Sequence, residues 1–476
     1  MICNKGPDEL HLKKPNDLKA VTICIQDCST TTDIEKGWII LKTLKMGMAL
    51  ALIMTAAAGC GKEEAGQKSG SNQPQTPAKV VDTTPVTLKF AVHLPINDEF
   101  KQLYIEPVTK KYPYITLELV SANSFKVYDQ LIAAGEVPDM YISFNGNMPG
   151  LKDRGINMDM KALFQQNKLD LKRFGQNYLD DIQYSVTEKG ELYGLPLETS
   201  FHALYYNKDI FDKFGVPYPK DGMTMEDAYE LAKKVTRIDN GVQYRGWDIA
   251  SIVRLAQPLG LEYIDHKTEK AITSSEGWKR VFQLGQQVYS IPGNEPSKDA
   301  NKNRLNGFSK DRTIAMLNET NLLSRLKEAE KDGLKWDVVQ HPFYKDKPNT
   351  FGNATVYMVG AVPQTKHMDQ VLQVMEVLTS DEVQMNVSKA GRVSPLNNEA
   401  VQKAFGQSDE TLKSKNLAGI VKSKPVKYPT YLYREIAEPM TEKKFSQILS
   451  SNGDVNSGLR DLDEEINKAV EAEKKK

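Results

Sequence analysis

Gly194-Leu-Pro-Leu-Glu-Thr-Ser-Phe-His-Ala-Leu-Tyr-Tyr-Asn-Lys-Asp-Ile-Phe-Asp-Lys213 is the stretch that decides how the chain is read. Gly194 and Pro196 punctuate its start, so a strand is not expected to run cleanly through them. Ala203 to Tyr206 is a short apolar and aromatic run of strand type. Asn207, Lys208 and Asp209 end that run, and Ile210, Phe211 and Phe214 then fall at helical spacing. Glu198, Thr199, Ser200 and His202 stand between the proline and the strand. They lead into a core strand where a purely structural design would place apolar residues. One account is a loop feeding a buried strand; the other is that these polar groups serve a site.

The same stretch resembles the signature of family 1 extracellular solute-binding proteins, the sugar-binding lipoproteins and periplasmic proteins of ABC importers. Pro196, Leu197, Ala203, Leu204, Tyr205, Tyr206, Asn207 and Phe211 occupy the positions of that pattern. Glu198 departs from it, because the pattern has a small polar residue there. The resemblance implies an α/β, two-lobed periplasmic-binding-protein-like fold of type II. Each lobe would be a mainly parallel sheet flanked by helices, with the ligand cleft between the lobes. This segment would carry the chain from the first lobe to the second, past the ligand.

Upstream, Leu88, Phe90 and Val92 alternate as a strand, and Ile115, Leu117 and Leu119 as another. A helix is expected through Phe100, Leu103 and Val108, a second from Tyr128 to Ala134, and a strand from Met140 to Phe144. This βαβαβ rhythm implies a parallel sheet with helices on both faces. Ligands of such sheets bind beyond the carboxyl ends of the strands, here at His93 and at Asn145-Gly146-Asn147. An amide donates and accepts at once, which suits Asn145 and Asn147 to a hydroxylated ligand. An Asn-Gly pair is equally an ordinary turn.

Lys and Arg together number 62, as do Asp and Glu, which leaves no electrostatic case for nucleic acid. At 476 residues the chain exceeds one ordinary domain and suits two lobes. Its four cysteines are Cys3, Cys24, Cys28 and Cys60, so no disulfide framework holds the part after Cys60. Cys24 and Cys28 have neither a second pair nor a nearby histidine, which argues against a zinc site. No cofactor or metal is expected.

Lys42 and Lys45 precede an apolar run, Met46 to Ala58, that is shorter than the ~20 residues a spanning helix needs. Ala57-Ala58-Gly59-Cys60 follows and resembles the lipobox of bacterial lipoproteins, with Ala57 where leucine is usual. The resemblance implies diacylglycerol on the Cys60 sulfur, cleavage before it, and anchoring at the extracytoplasmic face of the cell membrane. The other account is a short buried helix beside an accidental cysteine. Gly61 to about Pro85 speaks against it, being Gly, Ser, Gln, Lys and Pro with too little apolar surface to fold. Residues 1–40 read as an upstream extension from a misassigned start, with Leu41 as a UUG initiator. The competing view is a real cytoplasmic extension.

Further along, Thr224-Met-Glu-Asp227 reads as a capping box opening a helix. Trp247 and Asp248 follow a glycine; the indole could stack on a sugar ring while Asp248 takes hydroxyls, although most tryptophans are core. Trp278 and Trp336 read as core. The strand Arg312 to Leu317 opens into Asn318-Glu319-Thr320-Asn321, where relatives commonly bring an aromatic residue to the ligand. Asn353 lies in a segment resembling the return crossing, Gly391 to Pro395 resembles the final one, and Tyr431 stands where relatives place a stacking aromatic. The division expected is 1–40 extension, 41–59 signal peptide, 60–85 disordered tether, 86–199 and 355–393 lobe 1, and 200–354 and 394–476 lobe 2. The ligand set expected from position is His93, Asn145, Asn147, Glu198, Ser200, Trp247, Asp248, Asn318, Glu319, Asn353 and Tyr431.

The function so implied is capture of a carbohydrate, an oligosaccharide by family, by lobe closure and its delivery to an ABC permease by a monomeric binding protein. The alternatives are an extracytoplasmic carbohydrate-active enzyme and a binding protein for another solute. Ser324-x-x-Lys327 lacks partner motifs, Gly-x-Ser-x-Gly and His-Glu-x-x-His do not occur, and the six histidines do not cluster. Asn452-x-Asp454-x-Asn456 hints at a calcium loop but lacks its glycine and final glutamate. Paired glycosidase carboxylates remain open at this stage. Cys60→Ala should abolish lipid labelling and leave the protein uncleaved or released into the medium; unchanged labelling would exclude Cys60 as the anchor.

Overall fold

The computed structural model describes residues 83–183, 190–296, 300–427 and 433–475. The extension, signal segment, Cys60, nearly all of the tether and Tyr431 lie outside the described residues. In chain order, β1 (Val86–Val92), β2 (Ile115–Ser121), β3 (Met140–Phe144) and β4 (Leu195–Thr199) belong to one sheet. β5 (His202–Asn207), β6 (Arg237–Asp239), β7 (Val242–Asp248), β8 (Ile314–Thr320) and β9 (Trp336–Gln340) form a second. β10 (Thr350–Asn353) leads to β11 (Val356–Ala361), which returns to the first sheet, and β12 (Lys424–Val426) pairs with β10. The sheet orders are β2-β1-β3-β11-β4 and β6-β7-β8-β5-β9. Helices flank both, so each sheet and its helices make one lobe of an α/β fold.

β11 and β5 are the strands that enter their sheets from the other lobe. Each begins at the edge where the neighbouring strands end, so each must run against them. Accordingly β11 is antiparallel to β3 and β4, and β5 to β8 and β9. β1 pairs in parallel with β2 and β3, and β7 with β8.

The central stretch departs from expectation at its start, because β4 does run through Pro196. Proline lacks the amide proton for a ladder and is tolerated at edges and bulges. β4 is an edge strand, and its register slips where Pro196 meets Met358 and Glu198 meets Tyr357. Gly194 is required just before it: a Cβ there would stand 2.4 Å from the Val359 carbonyl oxygen. β5 explains the apolar run. Leu204 and Tyr206 pack into one core with Phe211, Met316 and Trp247. Ala203 and Tyr205 pack on the opposite face with Leu317 and Trp336. A strand covered on both faces reads as continuous rather than alternating.

Three backbone segments pass between the lobes and are knotted together. Ser200 N–H donates to the Thr355 carbonyl at 2.9 Å and Thr199 N–H to the Val393 carbonyl at 3.0 Å; Thr355 N–H donates to Ser200 Oγ at 2.9 Å. The third segment crosses later than the sequence suggests. Leu396 lies in the lobe 1 core, and Ser388 Oγ donates to the Val401 carbonyl. The stretch from Ser394 to about Ala404 therefore stays with lobe 1.

A buried brace ties two crossings to lobe 1. The helical segment from Asp98 to Lys111 contains a π turn at Lys101–Ile105. The extra residue in that turn brings Glu99 and Tyr104, five apart, onto one face, as neighbours four apart would be in an α-helix. Tyr104 donates to Glu198 at 2.7 Å. Arg392 donates to Glu198 at 3.0 Å and to Glu99 at 2.9 Å. Burial alone would lower the pKa of Arg392, but Glu198, Tyr104 and Glu99 more than offset it and the net shift is upward. Glu198, expected among ligand contacts, is thus committed to the hinge. Removing one member of such a pair strands the others in a poor solvent for charge. Arg392→Leu should cost about 3–5 kcal/mol in urea unfolding, and adding Glu198→Gln should recover part of the loss.

Candidate functional site

The carboxyl ends of β3, β7 and β8 face the crossing segments, as open α/β sheets place their ligands. A cavity of about 180 Å³ lies there. Lobe 1 contributes Phe144 at the end of β3. The crossings contribute His202, Asn353 and Thr355. Lobe 2 contributes Thr320 at the end of β8, Ser251, Val253, Arg254 and Gln257 after β7, and Arg434 and Glu438 from the helix Arg434–Ser451. On the lobe 1 side, Phe144, His93 and Tyr357 form an aromatic trio, with ring centroids 5.1 Å apart for His93–Phe144 and 6.0 Å for Phe144–Tyr357.

Arg254 organises the lobe 2 wall. It lies in the helix Ile252–Ala256, capped by Ser251 Oγ, which accepts from Arg254 N–H. The turn ahead of that cap puts Ala250 at φ 65°, a conformation costly for a residue with a Cβ. Asp248 supports it by accepting from Ala250 N–H at 2.9 Å. The Arg254 guanidinium donates to His202 Nε2 at 3.0 Å and to Glu319 at 3.0 Å. Glu319 is in turn held by Arg304 at 2.8 Å and by Thr320 N–H at 2.9 Å. Burial would raise the Glu319 pKa, but Arg254, the Thr320 amide and Arg304 outweigh it and hold the carboxyl below its ordinary value.

Of the described candidates, Asn353 alone lines the cavity. Trp247 is fully buried in lobe 2, and its indole donates to Asn318 Oδ1 at 3.3 Å. The expectation of a stacking face at Trp247 is therefore corrected. β7 is an inner strand, and the helix Met225–Val235, opened by the expected Thr224–Asp227 capping box, packs closely upon it over Gly246. Asp248 is occupied by Arg245 at 3.0 Å, and Asn318, fully buried, faces His341 Nε2 at 3.4 Å. Asn145 is sealed and spans to the second crossing through Ala354 O and Val356 N. Asn147 donates to Ser143, and Ser200 is part of the hinge knot. Glu319 stands behind Arg254 rather than in the wall. His93, half-buried, approaches the Ala122 carbonyl at 3.3 Å and reaches the site through Phe144. Asp454, in the calcium-like run, caps the final helix by accepting from Ser457 N–H at 2.8 Å.

Arg254, Gln257, Arg434 and Glu438 were not anticipated. A signal for the first existed: Ser251 three residues before Arg254 is an N-cap just after a strand end. Arg434 and Glu438 stand four apart, with Nε to Oε2 at 2.7 Å.

The chain belongs to the bacterial extracellular solute-binding protein family, whose model matches residues 104–414. It is 32% identical over 119 residues to a mannitol-binding protein of Pseudomonas aeruginosa, covering 22% of this chain and 27% of that one. It is 29% identical over 121 residues to a maltodextrin-binding protein of Bacillus subtilis, covering 24% and 26%. The match therefore spans about a quarter of either relative. An ABC substrate-binding protein of Listeria monocytogenes, solved with cycloalternan, superposes with a TM-score of 0.69 at 18% identity, over 81% of this chain and 98% of that one. That likeness carries the two-lobed fold. The family's place is extracytoplasmic, and its members are substrate-binding proteins. Among the described residues no helix is long and apolar enough to cross a membrane.

His202 and His341 lie with ring centroids 5.9 Å apart inside lobe 2. Burial pushes His202 well below its ordinary value, and Arg254 and then His341 push it further. Burial brings His341 from 6.5 down to about 4. Below pH 6.5 the unfolded chain takes up protons that the folded chain refuses, so stability should fall as pH drops from 6.5 towards 4. Urea midpoints across that window should show the decline, and His341→Gln should reduce it while the part due to His202 remains.

Proposed function

We propose that the protein captures a carbohydrate between its lobes and hands it to an ABC permease. The observation that carries this is the cavity at the strand ends. Its walls combine fixed polar donors and acceptors on lobe 2 with an aromatic face on lobe 1. Sugars present hydroxyls at their edges and C–H surfaces on their faces, which such walls complement. The named ligands of the relatives, mannitol, maltodextrin and cycloalternan, are in keeping with it. Ligand would favour the closed arrangement by touching both lobes at once. The mature chain would act as a monomer tethered through lipid on Cys60.

An enzymatic reading has less support. A glycosidase uses two carboxylates across the scissile bond. Among the described residues Glu438 is the single carboxylate lining the cavity, and Arg434 holds it.

A panel of sugars and sugar alcohols tested by thermal shift should contain a compound that raises the midpoint, since ligand binding only the native state stabilises it. Phe144→Ala should weaken that compound by about 0.5–1.5 kcal/mol, read by calorimetric titration. A panel without any shift, with the protein folded, would overturn the carbohydrate reading.

A further inference from the structure

We propose that Arg254 is the anchor for a carboxylate on the bound sugar, so that the cleft takes a uronate-bearing carbohydrate; this rests on the carbohydrate reading above. Two partly buried guanidiniums in this protein differ in their surroundings. Arg392 in the hinge has two carboxylates within hydrogen-bond distance, Glu198 and Glu99. Arg254 in the cleft has Glu319, and that one carboxylate is also held by Arg304 at 2.8 Å. Two further carboxylates act on Arg254 at longer range, and each has a nearer partner. Glu438 is paired with Arg434. Glu442 accepts from the amides of Ile252 and Val253, the latter at 3.1 Å. His202, the second acceptor of Arg254, is held in its neutral form by burial and by Arg254 itself.

Arg254 therefore faces the cavity with one carboxylate in direct contact, and it shares that one with Arg304. Burial is the main reason that its own pKa is lowered, with Arg304 adding to the shift and Glu319, Glu438 and Glu442 opposing it without cancelling it, whereas that of Arg392 is raised. A partly buried guanidinium whose charge is disfavoured by its surroundings, beside a cavity, is what an incoming carboxylate would relieve. His202 takes one N–H of Nη1 and Glu319 one of Nη2, which fixes the guanidinium and leaves further N–H donors for a planar acceptor such as a carboxylate. Among the described residues the charged groups lining the cavity are Arg254, Arg434 and Glu438. Their sum is one positive charge, which suits a carboxylate better than a doubly charged phosphate. The aromatic face of Phe144 across the cavity would take the ring.

The test is a calorimetric and thermal-shift comparison of the wild-type protein with galacturonate, glucuronate and digalacturonate against galactose, glucose and their neutral disaccharides. At least one uronate should bind roughly ten- to a hundred-fold tighter than its neutral counterpart. Arg254→Gln should erase that preference while its circular dichroism stays native, and Arg254→Lys should keep part of it. Should Arg254→Gln fail to fold, the wild-type comparison with Arg254→Lys still decides. Neutral sugars binding as tightly as the uronates would overturn the anchor and leave the carbohydrate reading standing, as would equal uronate binding by wild type and folded Arg254→Gln. A hexose phosphate binding in preference to every uronate would also overturn it. If acidic and neutral sugars alike fail to bind, the carbohydrate reading itself falls.

Discussion

The hydrogen bonds that knot Ser200, Thr355, Thr199 and Val393 set the position of everything else. They gather three crossing segments into one narrow waist, so that the carboxyl edges of both sheets face the same space. Because β4 ends at Thr199 and β5 begins at His202, the residues free to bend between the lobes are few. The brace of Arg392, Glu198, Glu99 and Tyr104 fixes the lobe 1 side of that waist. Rotation between lobes is thereby directed to the peptide links beyond Thr199 and Asn353, in keeping with hinges that absorb motion in a few element-terminal residues.

Lobe 2 is organised from the same waist. His202 is the first residue of β5 and an acceptor for Arg254. Glu319 is one residue from the end of β8 and holds Arg254 and Arg304 together. Asn318, beside it, joins the Trp247 indole to His341. A continuous polar seam thus runs from the cavity wall into the lobe 2 interior. Low dielectric makes each of its bonds stronger and each broken one costlier.

Much of the architecture was legible in the residues. Alternation gave β1 and β2, the capping box gave the helix after Thr224, and the Tyr-Asn stretch marked the first crossing. The regions of the site were legible too, whereas the residues within them were not. At the ends of β3 and β8 sequence reasoning chose Asn145 and Asn318–Glu319, while Phe144 and Thr320 line the cavity. Glu319 and Thr320 are adjacent in β8 and point to opposite faces, and a single sequence does not reveal which parity faces a cleft; Asn318 shares the face of Thr320 but lies one step deeper in the strand. Choosing polar residues compounded this, because buried amides such as Asn145 and Asn318 are as useful for satisfying backbone and indole groups as for holding a ligand. Trp247 misled for the converse reason: between a glycine and an aspartate it looked placed to stack on a sugar, but Gly246 is there to admit a helix backbone. Pro196 misled because the rule against proline in strands has its exception at edges.

The position of β11 bears on how the chain matures. It lies between β3 and β4, pairing with both, although roughly one hundred and fifty residues of the second lobe separate it from β4 in sequence. As synthesis proceeds from the amino end, the first lobe emerges with a slot in its sheet and with two strand edges unpaired. Such non-local pairing is slow to form, and unpaired edges attract other chains. Native folding of the first lobe must then wait for the second to be traversed. In a family whose place is extracytoplasmic that delay is an asset, because the interleaved topology keeps the first sheet unclosed until the chain has run through β11.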